Sequence, residues 1–574
     1  MTPSKILCFF FGLLPLTAGA QDACTTAPSG TYELAANAVS VKINTGGDIG
    51  FDGNSAGYFV RQPGGGGAHT LFAGALWMFA QRAGGGIQGA AQQYGRGAGY
   101  FDYGPGPLTA AGEMVENCAD WDRFWPVKRA EVEAFLTNFD PANPDPAAVP
   151  ASVLSWPGCG NPFFAESNGF TLPDRPQGYA PFVDTDGDGI YNPFAGDYPA
   201  FCGMEAAWCI FNDIPQNLDS ALPGPLVFEA QLLAYAFTGT DDADPVARTT
   251  FYDYQVTNLG TEHALKLRLG HWFDFDVGCF VDDVVGSLPE QNAVYVHNAS
   301  ALDQPACPAG VASFSQPGAV QIAQYVAGER TNADDPLLAS VVTLFNPPLG
   351  GSAPGIGDPQ GAMQYYNVAD GRWRDSTALT RGGLGYDQPG PVTRFAFDGG
   401  PTAAGTDWRG CTDLPVVNFE PRVVMMTRPP DLPPGGKTQF TLAMTTIFDV
   451  TMDDDNCPAI GEIAAAAETV RQFHDDGGCE RPVITSSRSY PLPAGAFVVS
   501  PNPNRGRFTL GSDRDHRLRR LVVTDAAGRV IIDRKISGLS AILVDDANLS
   551  PGVHHYRVTT VAGRAAVGKF VVHR

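Results

Sequence analysis

The chain has no run of ~20 apolar residues free of charge, glycine and proline, so nothing in it reads as a membrane-spanning helix. Charge is scarce: 17% of the residues are charged, against ~25% in an ordinary globular chain. Basic residues are scarcer than acidic ones, 37 against 61, and a chain with a formal charge of -24 repels phosphate backbones and anionic lipid surfaces. Nucleic acid is therefore not an expected partner. No CxxC pair occurs, which argues against a zinc ribbon or a thioredoxin-type site. No HExxH pair occurs among the nine histidines, and no Gly-rich loop sits between a strand and a helix as a phosphate loop must.

What the chain has in abundance is Gly (67) and Pro (47), about a fifth of its 574 residues, together with an apolar fraction of 44%. This combination excludes helical bundles and disorder alike, and leaves a compact, loop-rich, mainly β protein. The expected architecture is multi-domain, with β-sandwich-like modules, few short helices and long Gly/Pro-rich loops. The charge is unevenly spread. From Tyr490 onward there are 13 basic and 6 acidic residues, a net of +7, and the rest carries 24 against 55, a net of -31. That change of sign marks a boundary, and the expected parts are a signal peptide (1-20), an irregular N-terminal module (21-217), a β-sandwich-like module (218-479), a linker (480-492) and a C-terminal domain (493-574).

The opening segment has Lys5, an apolar run from Ile6 to Leu16 and a small-residue site at Ala18-Gly19-Ala20, the pattern of a secretory signal. Cys8 would leave with it, and ten cysteines would enter an oxidising compartment, where an even count favours disulfides. Short separations make Cys202 with Cys209, and Cys457 with Cys479, the first pairs to expect.

Two stretches have helical period: Val127 to Phe139, with Val132, Phe135, Leu136 and Phe139 on one face, and Ile460 to Phe473. Period two dominates elsewhere. Ala264 to Val277 alternates Leu265, Leu267, Leu269, His271, Phe273 and Phe275 with Lys266, Arg268, Gly270, Trp272, Asp274 and Asp276, and Thr249 to Thr257 reads alike, with Asn258-Leu259-Gly260-Thr261 as a hairpin between them. Phe440 to Phe448 is a further strand. After the Pro-rich linker, seven short alternating segments beginning at Phe497 predict a small seven-strand β-sandwich.

This tail resembles the C-terminal sorting domain of proteins exported by the type IX secretion system of Bacteroidetes. The likeness is carried by Ser500-Pro501-Asn502-Pro503 with Gly506 and Phe508, by Val523 through Val530, by Leu549-Ser550-Pro551-Gly552 with Tyr556, and by Lys569-Phe570-Val571-Val572. It implies that an outer-membrane translocon reads residues 493-574, and that the cargo is released or attached to surface lipopolysaccharide as the tail is removed. The body is similar to a large uncharacterised group carrying the same tail, through His69 to Trp77, Asp120 to Trp125, Trp156-Pro157, Asn161 to Ala165, Asp184 to Pro199 and Gly270 to Gly286. That group has no assigned reaction. Its members usually carry Cys and Asp where this chain has Ser287 and Leu288.

The sharpest chemical motif is Asp184-Thr185-Asp186-Gly187-Asp188-Gly189-Ile190, with Asp197 soon after. Carboxylates at alternate positions of a tight turn gather hard oxygens, and Ile190 can add its carbonyl, as a structural calcium loop requires. Ala195 stands where an EF-hand loop ends in Glu, and Pro193 prevents a normal exiting helix. An Asx-turn loop with solvated acids is the competing reading. Asp274, Asp276, Asp282 and Asp283 form a second acidic group, readable as a metal site or as a solvated edge that discourages strand pairing. Gly53-Asn54-Ser55-Ala56-Gly57 fits the nucleophile-elbow spacing but lacks the helix after it, so a turn is expected. His271 reads as a packed core histidine and the eight tryptophans as core residues. The expected protein is a secreted or surface-attached, calcium-stabilised binding protein, reaching the outside through the periplasm and recognising a glycan or protein ligand. An extracellular hydrolase acting on glycan or peptide, with a site assembled from distant loops, is the alternative.

Overall fold

The computed structural model describes residues 27-53, 55-94, 101-140, 145-173, 175, 178-215, 224-239, 244-300, 312-315, 318-332, 335-345, 355-414, 421-478, 497-511, 518-525, 529-539, 541-546, 549-560 and 565-573. The expected signal peptide, the linker, Cys24, Cys307 and Cys479 lie outside these residues. Among the described residues strand outweighs helix by 42% to 15%, which makes the chain mainly β, and the named strands pair antiparallel.

The chain divides into two units, the first comprising Met1–Pro157, Phe163–Thr171 and Phe201–Arg481. Its nine-stranded sheet runs Asp283–Leu288, Ala293–Asn298, Val320–Gly328, Lys437–Ile447, Thr249–Asn258, Phe228–Ala236, Glu205–Asn212 and Gly104–Pro105, with Trp125–Lys128 also paired to Glu205–Asn212. A five-stranded sheet runs Leu338–Phe345, Pro421–Thr427, Leu265–Asp274, Ala73–Gln81 and Ile87–Ala91. Tyr252, Tyr254 and Val256 from the larger sheet share one core with Leu267, Leu269 and Phe273 from the smaller, so the two sheets form a sandwich. The smaller sheet is covered on its other face too. There Trp77, Phe79, Trp272 and Val424 pack with Val368 and Ala369 of the helix Ala362–Ala369. The helix Ile460–Phe473 lies where its period placed it, and Ile463, Ala466 and Ala467 cover Tyr295 and Ile322.

Three expectations about this unit are corrected. Asn258-Leu259-Gly260-Thr261 does not close a hairpin: Thr249–Asn258 pairs with Phe228–Ala236 and Lys437–Ile447, and Leu265–Asp274 pairs with Ala73–Gln81 and Pro421–Thr427. Both strands bury their apolar face in the same core, and the connection carries the chain across the ~10 Å between sheets. The boundary expected between 217 and 218 falls outside the described residues, and the strands on either side of it, Glu205–Asn212 and Phe228–Ala236, pair along their length in one sheet. On the helix Arg129–Asn138, Val132 and Phe135 are buried but Leu136 is 42% exposed.

The cysteine pairing differs as well. Cys457 is bonded to Cys411, and Cys118, Cys202 and Cys279 are also disulfide-bonded. Cys209 instead is a buried free thiol in the core. It sits in the middle of the extended strand Glu205–Asn212, and at ~3.3 Å per residue that strand carries it beyond the ~7 Å that a disulfide to Cys202 could span.

The second unit comprises Gly158–Pro162, Leu172–Ala200 and Pro482–Arg574. Its tail is the expected seven-strand sandwich. Val498–Ser500, Arg507–Gly511 and Ala541–Asp545 form one sheet; Val530–Leu539, Leu518–Thr524, Gly552–Thr560 and Ala565–Val572 form the other. Phe508, Leu521, Val544, Val558 and Phe570 fill the space between them, with the Phe508 and Phe570 ring centroids 4.5 Å apart.

Candidate metal centre

The loop from Asp184 to Ile190 lies between the short strands Phe182–Val183 and Tyr198–Pro199, which pair with each other. Its turns follow from its sequence. Asp184 accepts the Gly187 amide (2.7 Å) and the Gly189 amide (2.8 Å), Asp186 accepts the Asp188 amide (3.2 Å), and Asp188 accepts the Ile190 amide (2.7 Å). Gly187 and Gly189 take φ of 79° and 81°, with open space around both, so glycine is required there by backbone conformation and not by crowding. Oxygens of Asp184, Asp186 and Asp188 all lie within 4.8 Å of one another, the one group of this kind among the described residues. Three carboxylates so close, Asp184 half-buried and Asp186 and Asp188 exposed, favour a hard cation, and an oxygen-only donor set fits calcium.

Asp197, expected as a further ligand, is tied to the backbone of the loop. Its buried carboxylate accepts the Thr185 amide (2.7 Å) and the Asn192 amide (2.9 Å), so it ties the two ends of the loop together and stands outside the carboxylate triad. Burial raises its pKa, the two amides oppose that, and the charges of Asp184 and Asp186 add to the rise. Ile190 exposes 47% of its side chain and enters the loop through its amide. The loop leaves through the 3-10 turn Pro193–Ala195, as Pro193 dictates.

The second acidic group comes out otherwise. Asp274, Asp282 and Asp283 are buried, which overturns the solvated edge, and with Asp276 they form no group of three ligating oxygens. Asp274 accepts the Tyr94 hydroxyl (2.6 Å), and Asp283 accepts the Val277 amide (3.1 Å). Ser55 is in a turn, its amide donating to the Asp52 carbonyl (3.4 Å), with no helix after it. His271 is fully buried, with Nδ1 3.1 Å from the Tyr325 hydroxyl, and burial pushes its pKa down to about 3. All eight tryptophans are buried, so none forms an open sugar-stacking platform.

Two core carboxylates carried no signal in the sequence. Asp102 accepts the Ala91 amide, and Asp213 accepts the Leu226 (2.6 Å) and Phe228 (2.7 Å) amides. Burial, the largest cause in each, raises Asp102 to about 7 and Asp213 to about 6. Neither lies in a motif, because each serves backbone groups that only the folded sheets bring to it.

No family model matches the chain, and no curated protein matches it. Among solved structures, a polysaccharide lyase is similar at 9% identity with a TM-score of 0.16, over 70% of this chain. The chain spans 40% of that lyase's length, and a likeness at this score carries no argument about activity.

Proposed function

We propose that the chain is an exported binding or adhesion-type protein, delivered by the type IX secretion machinery through residues 493-574 and secreted or attached to the outer cell surface by way of the periplasm. The observation that carries the reading is the tail: a seven-strand sandwich with its own apolar core, a basic balance against an acidic body, and the motif series from Ser500 to Val572. Surface lipopolysaccharide is the proposed attachment point after the tail is removed. Calcium held by Asp184, Asp186 and Asp188 is the proposed stiffening ion, supported by their common approach at the surface. A glycan or a protein is the proposed ligand of the body.

Deleting 493-574 should strand the body in the periplasm. Fractionation of cells expressing both forms measures this, and equal amounts of the truncated and full-length chains at the surface or in the medium would overturn the export reading.

A further inference from the structure

Acidic residues outnumber basic ones 55 to 24 before Tyr490, yet four arginines of that region converge on a single carboxylate. Asp370 caps the C-terminal end of the helix Ala362–Ala369. Its carboxylate accepts Arg268 Nη2 at 2.5 Å and Arg428 Nη2 at 3.1 Å, with Arg372 Nε at 3.7 Å and Arg394 Nη2 at 4.0 Å. Its backbone carbonyl accepts Arg394 Nη1 (3.0 Å) and Arg428 Nη2 (3.2 Å). One carboxylate among four guanidinium groups leaves a formal surplus of three positive charges. Lys266 and Asp431 stand beside them, the Lys266 amide on the Asp431 carboxylate, and their charges offset one another.

The donors are in surplus too. Each guanidinium has five N–H groups, and a carboxylate offers about four acceptor sites. Arg268 spends Nη1 on the Lys266 and Leu267 carbonyls, and Arg372 spends Nη1 on Ser376. Arg428 Nε is buried and makes no hydrogen bond among the described residues. The cluster nevertheless opens to solvent: the side chains of Arg372, Arg394 and Arg428 are 45%, 38% and 32% exposed, and Arg268 is 11% exposed with its guanidinium over the Tyr366 ring. Capping one helix end needs one cation, and further arginines repel each other unless negative charge arrives.

We propose that Arg268, Arg372, Arg394 and Arg428 form a binding site for a sulfate or phosphate group. A tetrahedral dianion offers several oxygens to converging guanidinium forks and neutralises most of the surplus charge. The negative field of the body is screened beyond ~8-10 Å at ordinary salt, so it disfavours a long polyanion far more than a small group held at short range. The inference does not depend on the route of export.

The test is calorimetric titration of the full chain with inorganic sulfate, inorganic phosphate, glucose 6-sulfate and glucose 6-phosphate, at fixed ionic strength set with chloride. Saturable binding of at least one is expected, weakened about tenfold or more in Arg372→Gln with Arg394→Gln. Arg61→Gln with Lys128→Gln removes the same charge elsewhere and should leave it unchanged. Asp370→Asn adds to the surplus and should tighten binding, whereas a purely structural cluster would lose stability and gain no affinity. Tighter binding of the sugar-borne groups assigns the site to a modified glycan, and equal binding assigns it to the free ion. No saturable binding beyond chloride, or equal affinity in wild type and the Arg372/Arg394 variant, overturns the proposal, and that pair decides even where Asp370→Asn does not fold.

Discussion

The body sandwich and the tail sandwich answer the same packing problem with different materials. The body places Asp48, Asp102, Asp213, Glu229, Asp274, Asp282 and Asp283 in its interior; among the described residues of the tail no Asp or Glu is buried. Thick layers around long strands supply backbone amides to hold a carboxylate, as Leu226 and Phe228 do for Asp213. The tail is two small sheets around a short apolar core, and it keeps its acids on the surface, where Arg520 meets Asp533. Burying an ionisable group is costly unless it is hydrogen-bonded or neutralised, and the tail's small core holds no acid among the described residues. The difference ties the body's stability to its disulfide and to buried carboxyls with raised pKa, and leaves the tail's acids at the surface, where pH acts with the opposite sign.

Reduction separates the two most strongly. Cys411 and Cys457 close a loop with a sequence separation of 46, whereas no cysteine follows Cys479. Loop-closure entropy for such a span is worth about 4 kcal/mol, so Cys411→Ser with Cys457→Ser should destabilise the body by roughly that amount. The tail should unfold as before. Denaturant curves followed by fragment-resolved hydrogen exchange check this, and a body unaffected by the double substitution would break the contrast.

Much of the tail was legible in the sequence and much of the body was not, for one physical reason. The strands after Phe497, the helix Ile460–Phe473 and the Asp184 loop are written in residues close together in the chain, through period two, period 3.6 and Asx turns. The crossing at Leu259-Gly260 depends on which distant strands each partner finds, and so do Cys411–Cys457 and the Arg268–Asp370 contact. Local pattern also missed the helix Ala362–Ala369, which is short and follows a Gly-rich loop. The Asp274 group misled because alternation assigns a face without saying whether another layer covers it.

The next contrast is in pH. Burial raises Asp102 to about 7 and Asp213 to about 6 from an ordinary 3.8; their amide partners oppose the rise in each. A raised carboxyl binds a proton in the folded state where the unfolded chain has lost it. Its contribution is therefore full below pH ~4 and declines as pH rises, to about 6 for Asp213 and about 7 for Asp102. A tenfold difference in proton affinity between the folded and unfolded chain is worth ~1.4 kcal/mol, and with relaxation around the charge Asp102 should account for about 3 kcal/mol. Asp102→Asn should match wild type near pH 4 and exceed it by about that margin at pH 8, read from urea unfolding of the body. A difference that does not change with pH would remove protonation as its cause. In the tail, Asp533 is held below the usual carboxylate range by its hydrogen bond to Arg520, so its contribution has the opposite sign and is lost in acid.

The smallest expected effect concerns the carboxylates of the Asp184 loop, of which Asp186 and Asp188 are exposed and Asp184 half-buried. Asp184, Asp186 and Asp188 cannot share protons with a core; they reduce their mutual repulsion by spreading apart or by binding a cation. Each is already tied to an amide of the loop, which limits the spreading. A divalent ion that binds the folded loop and not the unfolded one stabilises by RT ln(1 + [L]/Kd), ~2.7 kcal/mol at a hundred times Kd. Weak extracellular calcium sites have Kd on the order of 0.1 to 1 mM, so millimolar calcium suffices for part of that effect. Melting in chelator and in millimolar calcium should show a rise for wild type and none for Asp186→Ala with Asp188→Ala. Asp197 gives the sharper control, because it ties the loop ends by accepting the Thr185 and Asn192 amides. Asp197→Asn should lower stability with and without calcium, while the calcium increment persists; loss of the increment would make Asp197 a ligand, and a wild type indifferent to calcium would leave the loop as a turn.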